Sequence, residues 1–165
     1  MNSPEIRTGI GWDVHRLRAG RPLILGGVNV PSDLGLEGHS DADILFHATV
    51  DALLGAAALG DIGMHFPDND PRWKDADSAQ FVVEAAAMVR SAGYEIVNVD
   101  TTVFLEKPKL KDYRIVIRES LGRALALDLD RVSVKFKTAE LVGPVGQRQS
   151  AEAEAIVTLA RPASL

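Results

Sequence analysis

From residue 6 to residue 16 the chain alternates, with Ile10, Trp12 and Val14 on one side and Gly9, Gly11, Asp13 and His15 on the other. That period of two is the signature of a β-strand. Two short apolar runs between Leu23 and Val30, broken by Gly26-Gly27, predict a hairpin. Residues 41–58 have helical composition, opened by Ser40-Asp41-Ala42-Asp43 as a Ser-x-x-Asp cap. An irregular loop runs on through Pro71. Helix 77–92, strand 94–105, a helix at about 111–126 and strand 131–138 follow, and strand 150–160 closes the chain. In that last strand Ala151, Ala153, Ala155, Val157 and Leu159 alternate with Glu152, Glu154, Ile156 and Thr158, so one face is small and apolar enough to pack closely under helices. Helices and strands mix without strict βαβ alternation. The expectation is an α+β fold, a single domain over residues 1–165 with a mixed β-sheet covered by helices on one face.

Composition narrows the field. At 165 residues and 46% hydrophobic the chain can bury a real core, and no Pro/Gly/Ser linker or repeat divides it. It has no cysteine, which excludes disulfides and thiolate metal sites and leaves His/Asp ligation. A net charge of −5 with no long basic run argues against nucleic acid as a partner. Nothing has the length and apolarity of a transmembrane helix, so no membrane partner is expected. Only a few residues precede the first strand, which fits neither a signal nor a transit peptide, and a bacterial-type cytoplasmic location is expected.

The candidate chemistry starts at Asp13 and His15. Two apart on a strand, they project together and form a two-ligand edge of a metal site, and Gly9 and Gly11 beside them leave room for a ligand or another backbone. His47 sits about two turns into the predicted helix, and Asp43, His47 and Asp51 at i, i+4 and i+8 share a face, so that Asp51 could orient the His47 ring. Two histidines and a carboxylate suit zinc and leave its fourth position open. Each pair read alone is equally what a strand-end aspartate with a surface histidine, or a hydrogen-bonded core histidine, would produce.

The surrounding motifs are more specific. His39-Ser40-Asp41-Ala42-Asp43, Asp51 to Gly63 with its Asp61-Ile62-Gly63 end, and Phe66-Pro67-Asp68-Asn69-Asp70-Pro71 stand between Gly11-x-Asp13-x-His15 and Lys135-x-x-Thr138-x-Glu140. In order and spacing this set resembles the 2-C-methyl-D-erythritol 2,4-cyclodiphosphate synthase family over residues 6 to 160. The resemblance implies a lyase of non-mevalonate isoprenoid biosynthesis that converts 4-diphosphocytidyl-2-C-methyl-D-erythritol 2-phosphate to the cyclic diphosphate and CMP. It implies Zn²⁺, one per subunit, on Asp13, His15 and His47, and a second divalent cation, Mg²⁺ or Mn²⁺, on Glu140. His39 and Thr138 match positions that polarise the phosphates, and Ser40 lies in the same contact. Asp61, Ile62 and Gly63, with Phe66, Pro67, Asp68, Asn69 and Asp70, match the segments that hold the methylerythritol phosphate. Pro108, Lys109 and Leu110, together with Lys137, Thr138, Ala139 and Glu140, match the cytidine diphosphate pocket, where Glu106 and Lys107 depart from the smaller or less charged residues often found. The resemblance also implies a three-fold, β-prism-like homotrimer with active sites between subunits. Pro144 and Gln147 replace an aromatic and an arginine that some members carry near the trimer axis, with Arg148 one residue later.

Two other classes stay open on the residues. A metal-dependent phosphoesterase would use the same open zinc to activate water. A zinc-stabilised binding module would need a closed four-ligand site, for which no fourth ligand is evident.

Overall fold

The N-terminal alternation becomes strand β1 (Glu5–Arg18) in a computed structural model that describes residues 3–161. The hairpin forms as β2 (Leu23–Leu25) and β3 (Val28–Val30), and a two-residue β4 (Gly35–Leu36) was not foreseen. Helix α1 (Ile44–Ala56), a short α2 (Ile62–His65) and α3 (Ala79–Ser91) precede β5 (Glu95–Phe104). The chain finishes with α4 (Arg114–Leu125), β6 (Val132–Lys137), a one-turn α5 (Gly143–Gly146) and β7 (Ser150–Arg161). The main sheet runs β4-β1-β7-β5-β6, antiparallel except for the parallel β5–β6 pair, and is therefore mixed as expected. The hairpin is a separate two-stranded sheet.

Burial divides the sheet into two faces. Ala151, Ala153, Ala155, Val157 and Leu159 of β7 are buried in the one core, with Val99 and Val103 of β5. On β1 the helix-covered positions are Gly9 and Gly11, and α1 lies directly on them. A Cβ at Gly11 would stand 1.9 Å from the Ala48 carbonyl oxygen, and one at Gly9 would stand 2.1 Å from that of Ala52. The other face leaves Ile10 70% and Trp12 52% exposed, with Ile6, Val14 and Ile156 open beside them.

Helix α1 is apolar almost all round because it is covered almost all round, by β1 and β7 on one side and α3 on another. Its start departs from the expected cap. Asp43, rather than Ser40, is the N-cap, and its side chain accepts from the amides of Leu45 and Phe46. The same carboxylate also accepts from Gly26 and Gly27, at 3.0 and 2.6 Å, tying the hairpin to the helix start. Burial pushes the Asp43 carboxyl up to about 6 against the pull of these amides, so at neutral pH it is ionised and faces four N–H donors. Helix α3 is amphipathic, with Phe81, Val82, Ala85, Ala86 and Val89 buried.

The close seat of α1 on β1 leads to a specific expectation. Gly11→Ala forces a methyl group into helix backbone that cannot yield, and should destabilise the fold by roughly 3 kcal/mol or more, at the upper end of overpacking costs. A urea unfolding midpoint equal to that of the unmodified chain would reject this packing.

Candidate metal centre and active site

Asp13 and His15 reach the helix-covered side of β1 near its end, and His47 meets them from the first turns of α1. The Asp13 Oδ2 atom lies 3.1 Å from His15 Nε2 and 3.0 Å from His47 Nδ1. One ligand atom from each residue falls within 4.8 Å of the others, and these three residues can together hold a metal ion.

The outer edges of the two rings assign their tautomers. His15 Nδ1 is 2.5 Å from the Glu37 carbonyl oxygen, which can only accept, so Nδ1 carries the proton and Nε2 presents a lone pair. On the far side of His47, Nε2 is 2.9 Å from Ser78 Oγ and 3.2 Å from Ser40 Oγ. Ser78 Oγ donates to Asp41 Oδ1, and its backbone N–H donates to Asp41 Oδ2 at 3.0 Å. With its own proton committed to Asp41, the Ser78 hydroxyl accepts from His47 Nε2–H, and His47 Nδ1 is left as an acceptor. Two imidazole lone pairs and a carboxylate oxygen thus converge with no proton between them, the condition a divalent cation satisfies.

A proton competes with a cation for these same atoms. Burial alone would raise Asp13, but His15 and His47 outweigh it and hold the carboxyl far below the usual range. Burial would lower His15, yet the adjoining Asp13 carboxylate outweighs it and raises the imidazole.

The expected orienting role of Asp51 does not hold. Its carboxylate accepts from the Ile62 amide at 2.7 Å and so fixes the turn into α2, while Ser78, Ser40 and Asp13 hold the His47 ring. One helical turn separates His47 from Asp51, but the Ile62 amide reaches the aspartate first. Ser78, Asp41 and Glu37 were missed. For Ser78 the only sequence signal was its place in the first turn of the expected helix 77–92, which begins two residues later at Ala79. There it stands at the N-cap of α3 without a capping side-chain bond, its hydroxyl spent on the site.

A cavity of about 520 Å³ opens over the triad. Asp13, His15 and His47 line it with His39, Ser40, Ile62, Gly63, Phe66, Pro67, Asp68 and Asn69, all expected site residues, joined by Gly38, Trp73 and Phe81. Phe66, Trp73 and Phe81 pack on one another as an aromatic wall. Asp61 and Asp70 stand at its margin, Asp61 capping α2 through the Met64 amide and the Asp70 carbonyl 3.2 Å from His39 Nε2. His65, without a motif role, bonds the Leu59 carbonyl through its ring.

Pro108, Lys109, Leu110, Lys137 and Thr138 line a second cavity of about 280 Å³ with Leu105, Lys111, Arg114 and Phe136. Thr138 Oγ1 donates to Glu140 Oε1 at 2.6 Å, and Ala139 lies between them. Lys135 is engaged with Asp100 at 2.7 Å. The two cavities share no lining residue within one chain. Arg148 pairs with Asp33.

An α+β domain whose polar and aromatic cavity holds three residues able to bind a metal is consistent with a metal-dependent enzyme. The particular family is shown by comparison: the YgbB family model matches residues 6–160, and the chain belongs to that family. The 2-C-methyl-D-erythritol 2,4-cyclodiphosphate synthase of Solibacter usitatus (strain Ellin6076) is 68% identical over 155 residues, which cover 94% of this chain and 98% of that protein. Among solved structures, a Plasmodium falciparum IspF described as a CDP complex matches with a TM-score of 0.84 at 34% identity, over 97% of this chain and 99% of that one. The bifunctional IspDF of Campylobacter jejuni matches with a TM-score of 0.93 at 41% identity; the match covers 97% of this chain but only 43% of that longer one. The family's members are lyases of the non-mevalonate isoprenoid pathway, and the cyclisation that releases CMP is their activity. Among the described residues no helix is long and apolar enough to cross a membrane.

The tautomer argument makes metal binding proton-linked. Because Asp13 raises His15, acidification through that raised value protonates Nε2 and removes a ligand. Affinity for Co²⁺, followed by its visible absorption, should fall by about tenfold per pH unit below that point. A flat profile from pH 8 to pH 5 would exclude His15 as a ligand.

Proposed function

We propose that the chain performs its family's reaction at a composite site, and the observation that carries this reading is the convergence of Asp13, His15 and His47 without an intervening proton. A 2-phosphate oxygen of 4-diphosphocytidyl-2-C-methyl-D-erythritol 2-phosphate forms a bond to the β-phosphorus. The bond from that phosphorus to the bridging oxygen breaks, and CMP leaves with the electron pair. The attacking phosphate is already ionised near neutral pH, so the protein needs no general base and works by positioning and charge stabilisation.

The nitrogen-rich triad suits Zn²⁺, one per subunit, and the oxygen ligand Glu140 suits Mg²⁺ or Mn²⁺; when bound, these ions supply Lewis-acid polarisation and a template for the diphosphate. His39, released from the Asp70 carbonyl, and the Thr138 hydroxyl hydrogen-bond phosphate oxygens as charge builds. Ser40 stands beside His47 in the same contact. Asp61 accepts from substrate hydroxyls. Ile62, Gly63 and the Phe66–Asp70 loop enclose the methylerythritol phosphate, Trp73 and Phe81 backing the loop. Pro108, Lys109 and Leu110 with Lys137, Thr138, Ala139 and Glu140 hold the cytidine diphosphate end, a reading supported by the CDP complex of the Plasmodium falciparum relative.

The two ends of the substrate must meet, yet the two cavities of one chain share no lining residue. This supports a homotrimer in which neighbouring subunits each supply one half, their sheets meeting through the exposed face of Ile10, Trp12, Val14 and Ile156. The reading places the enzyme in a bacterial-type cytoplasm, acting on a soluble nucleotide substrate.

Incubation with substrate and Mg²⁺, followed by phosphorus NMR, should give CMP and a cyclic diphosphate, and a chelator should abolish both. Linear products alone would mean water is the nucleophile and the chain is a phosphoesterase. His47→Ala should lose zinc and activity together while remaining folded at three times the 17.8 kDa chain mass, whereas Glu140→Ala should lose Mg²⁺ dependence with zinc retained. Full zinc occupancy in His47→Ala would reject the ligand set.

A further inference from the structure

Glu106 is a charged side chain that the reaction does not use, and it is only 6% exposed. It follows β5, at the same end of the sheet as the last residues of parallel β6, where the Leu105 amide bonds the Lys137 carbonyl at 2.9 Å. Its carboxylate turns inward rather than to water. Oε2 accepts from the Ala139 amide at 3.1 Å and, at a longer 3.5 Å, from the Leu141 amide.

These two amides flank Glu140. The Val142 amide bonds the Ala139 carbonyl at 2.9 Å, closing a four-residue turn whose central residues, Glu140 and Leu141, have φ of 50° and 65°. Such a turn needs left-handed backbone at both central positions and is ordinarily built from Asn, Asp or Gly. Here it is built from a glutamate and a leucine, whose Cβ atoms disfavour that region, so contacts outside the turn must hold it. Glu106 supplies one from below. Gly146 of α5 supplies another, for its position lies so near the Leu141 backbone that a Cβ there would be 2.3 Å from the Leu141 carbonyl carbon.

We propose that Glu106 is a positioning residue that clamps the Ala139–Val142 turn and thereby aims the Glu140 carboxylate, and the Thr138 hydroxyl bonded to it, at the diphosphate of a bound cytidine nucleotide and its divalent cation. The inference rests on the reading of Glu140 above and deepens it. It explains why a carboxylate is buried beside a nucleotide pocket where further negative charge would otherwise be unfavourable. The acceptor is spent on backbone amides and does not face the ligand. Both amides converge on the same oxygen, so one carbonyl-type acceptor of the same reach is enough. Glu106→Gln therefore retains the clamp, whereas Glu106→Ala loses it.

The test uses the zinc-loaded full chain and its Glu106→Ala, Glu106→Gln and Glu140→Ala variants. Hydrogen exchange at the Ala139 and Leu141 amides reads the clamp directly, and Mn²⁺ binding in the presence of CDP, followed by electron paramagnetic resonance, reads the aim of Glu140. Glu106→Ala should speed exchange at both amides and weaken Mn²⁺ at least tenfold with zinc content unchanged. It should raise KM for the substrate along with the metal requirement, and Glu106→Gln should stay within about threefold of the unmodified chain on every measure. Unchanged exchange in Glu106→Ala, or a Glu106→Gln as impaired as Glu106→Ala, would overturn the proposal. So would faster exchange with undiminished Mn²⁺ binding while Glu140→Ala binds Mn²⁺ poorly. If Glu140→Ala itself binds Mn²⁺ normally, the reading of Glu140 as a ligand fails, and the aiming role of Glu106 is overturned with it, even where the exchange data still show the clamp. Should Glu106→Ala not fold, the Glu106→Gln comparison still decides between acceptor and charge.

Discussion

Everything at the candidate metal centre depends on how closely α1 sits on β1. His47 belongs to the helix, Asp13 and His15 to the strand, and three donor atoms within one ion's reach require the two backbones to approach with almost nothing between them. Gly9 and Gly11 remove the strand's side chains at the crossing, while Ala48, Ala52 and Ala56 keep the helix side small. The buried alanines of β7 continue the same low surface beside β1. Because the spacing is set by backbone against backbone, it cannot relax as a larger side chain would by changing rotamer. The ligands inherit that rigidity.

Ser40 to Asp43 then adjust the rings within this frame. The two carboxylates of the segment, two residues apart, take opposite tasks. Asp43, buried and turned back, joins the hairpin amides to the helix start. Asp41 points the other way, holding Ser78 by backbone and hydroxyl so that Ser78 must accept from His47. Between them Ala42 adopts a left-handed φ of 57°, which lets adjacent acidic residues diverge. The local strain at Ala42 is offset by the bonds on either side. The result is a directional chain of protons, each pointing away from the cluster, that leaves lone pairs facing inward. An acidic protein thereby prepares to hold cations, and through them a polyanionic substrate, without a basic surface.

Much of this was legible because it is periodic or local. The alternation at Gly9 to His15 placed Asp13 and His15 on one side, and helical composition put His47 on a rigid element; both hold. The closing strand's alanines marked a face packed under helices, and they are buried there. What failed needed distant partners. Ser40 as a helix cap was a fair reading of four residues, but Asp43 caps the Leu45 and Phe46 amides and is held there by hairpin amides 16 and 17 residues earlier, while the Ser40 hydroxyl turns to His47. Asp51 has the spacing of a ring-orienting residue, and the Ile62 amide, 11 residues on, claims it. Ser78 lies 31 residues from His47 and carries no motif. Periodicity says which face a side chain takes; it is silent on which of several polar partners arrives there first.

The same limit applies to the exposed side of the sheet. Alternation placed Ile10, Trp12 and Val14 opposite the ligands, and read in isolation that apolar side would have been taken for the core. The structure inverts this: the glycine and ligand side faces the helices, and the bulky apolar side is open. A strand glycine-lined on its covered face takes a helix of its own chain there, and its apolar open face is the surface that the proposed trimer would cover. The separation of the triad cavity from the Thr138 cavity has the same character, since the two share no lining residue within one chain. In the proposed trimer one arrangement resolves both, burying the open sheet face and bringing one subunit's triad to its neighbour's nucleotide pocket. In that trimer, assembly and catalysis would depend on the same strand, because β1 carries the candidate ligands Asp13 and His15 on one side and the open apolar residues on the other.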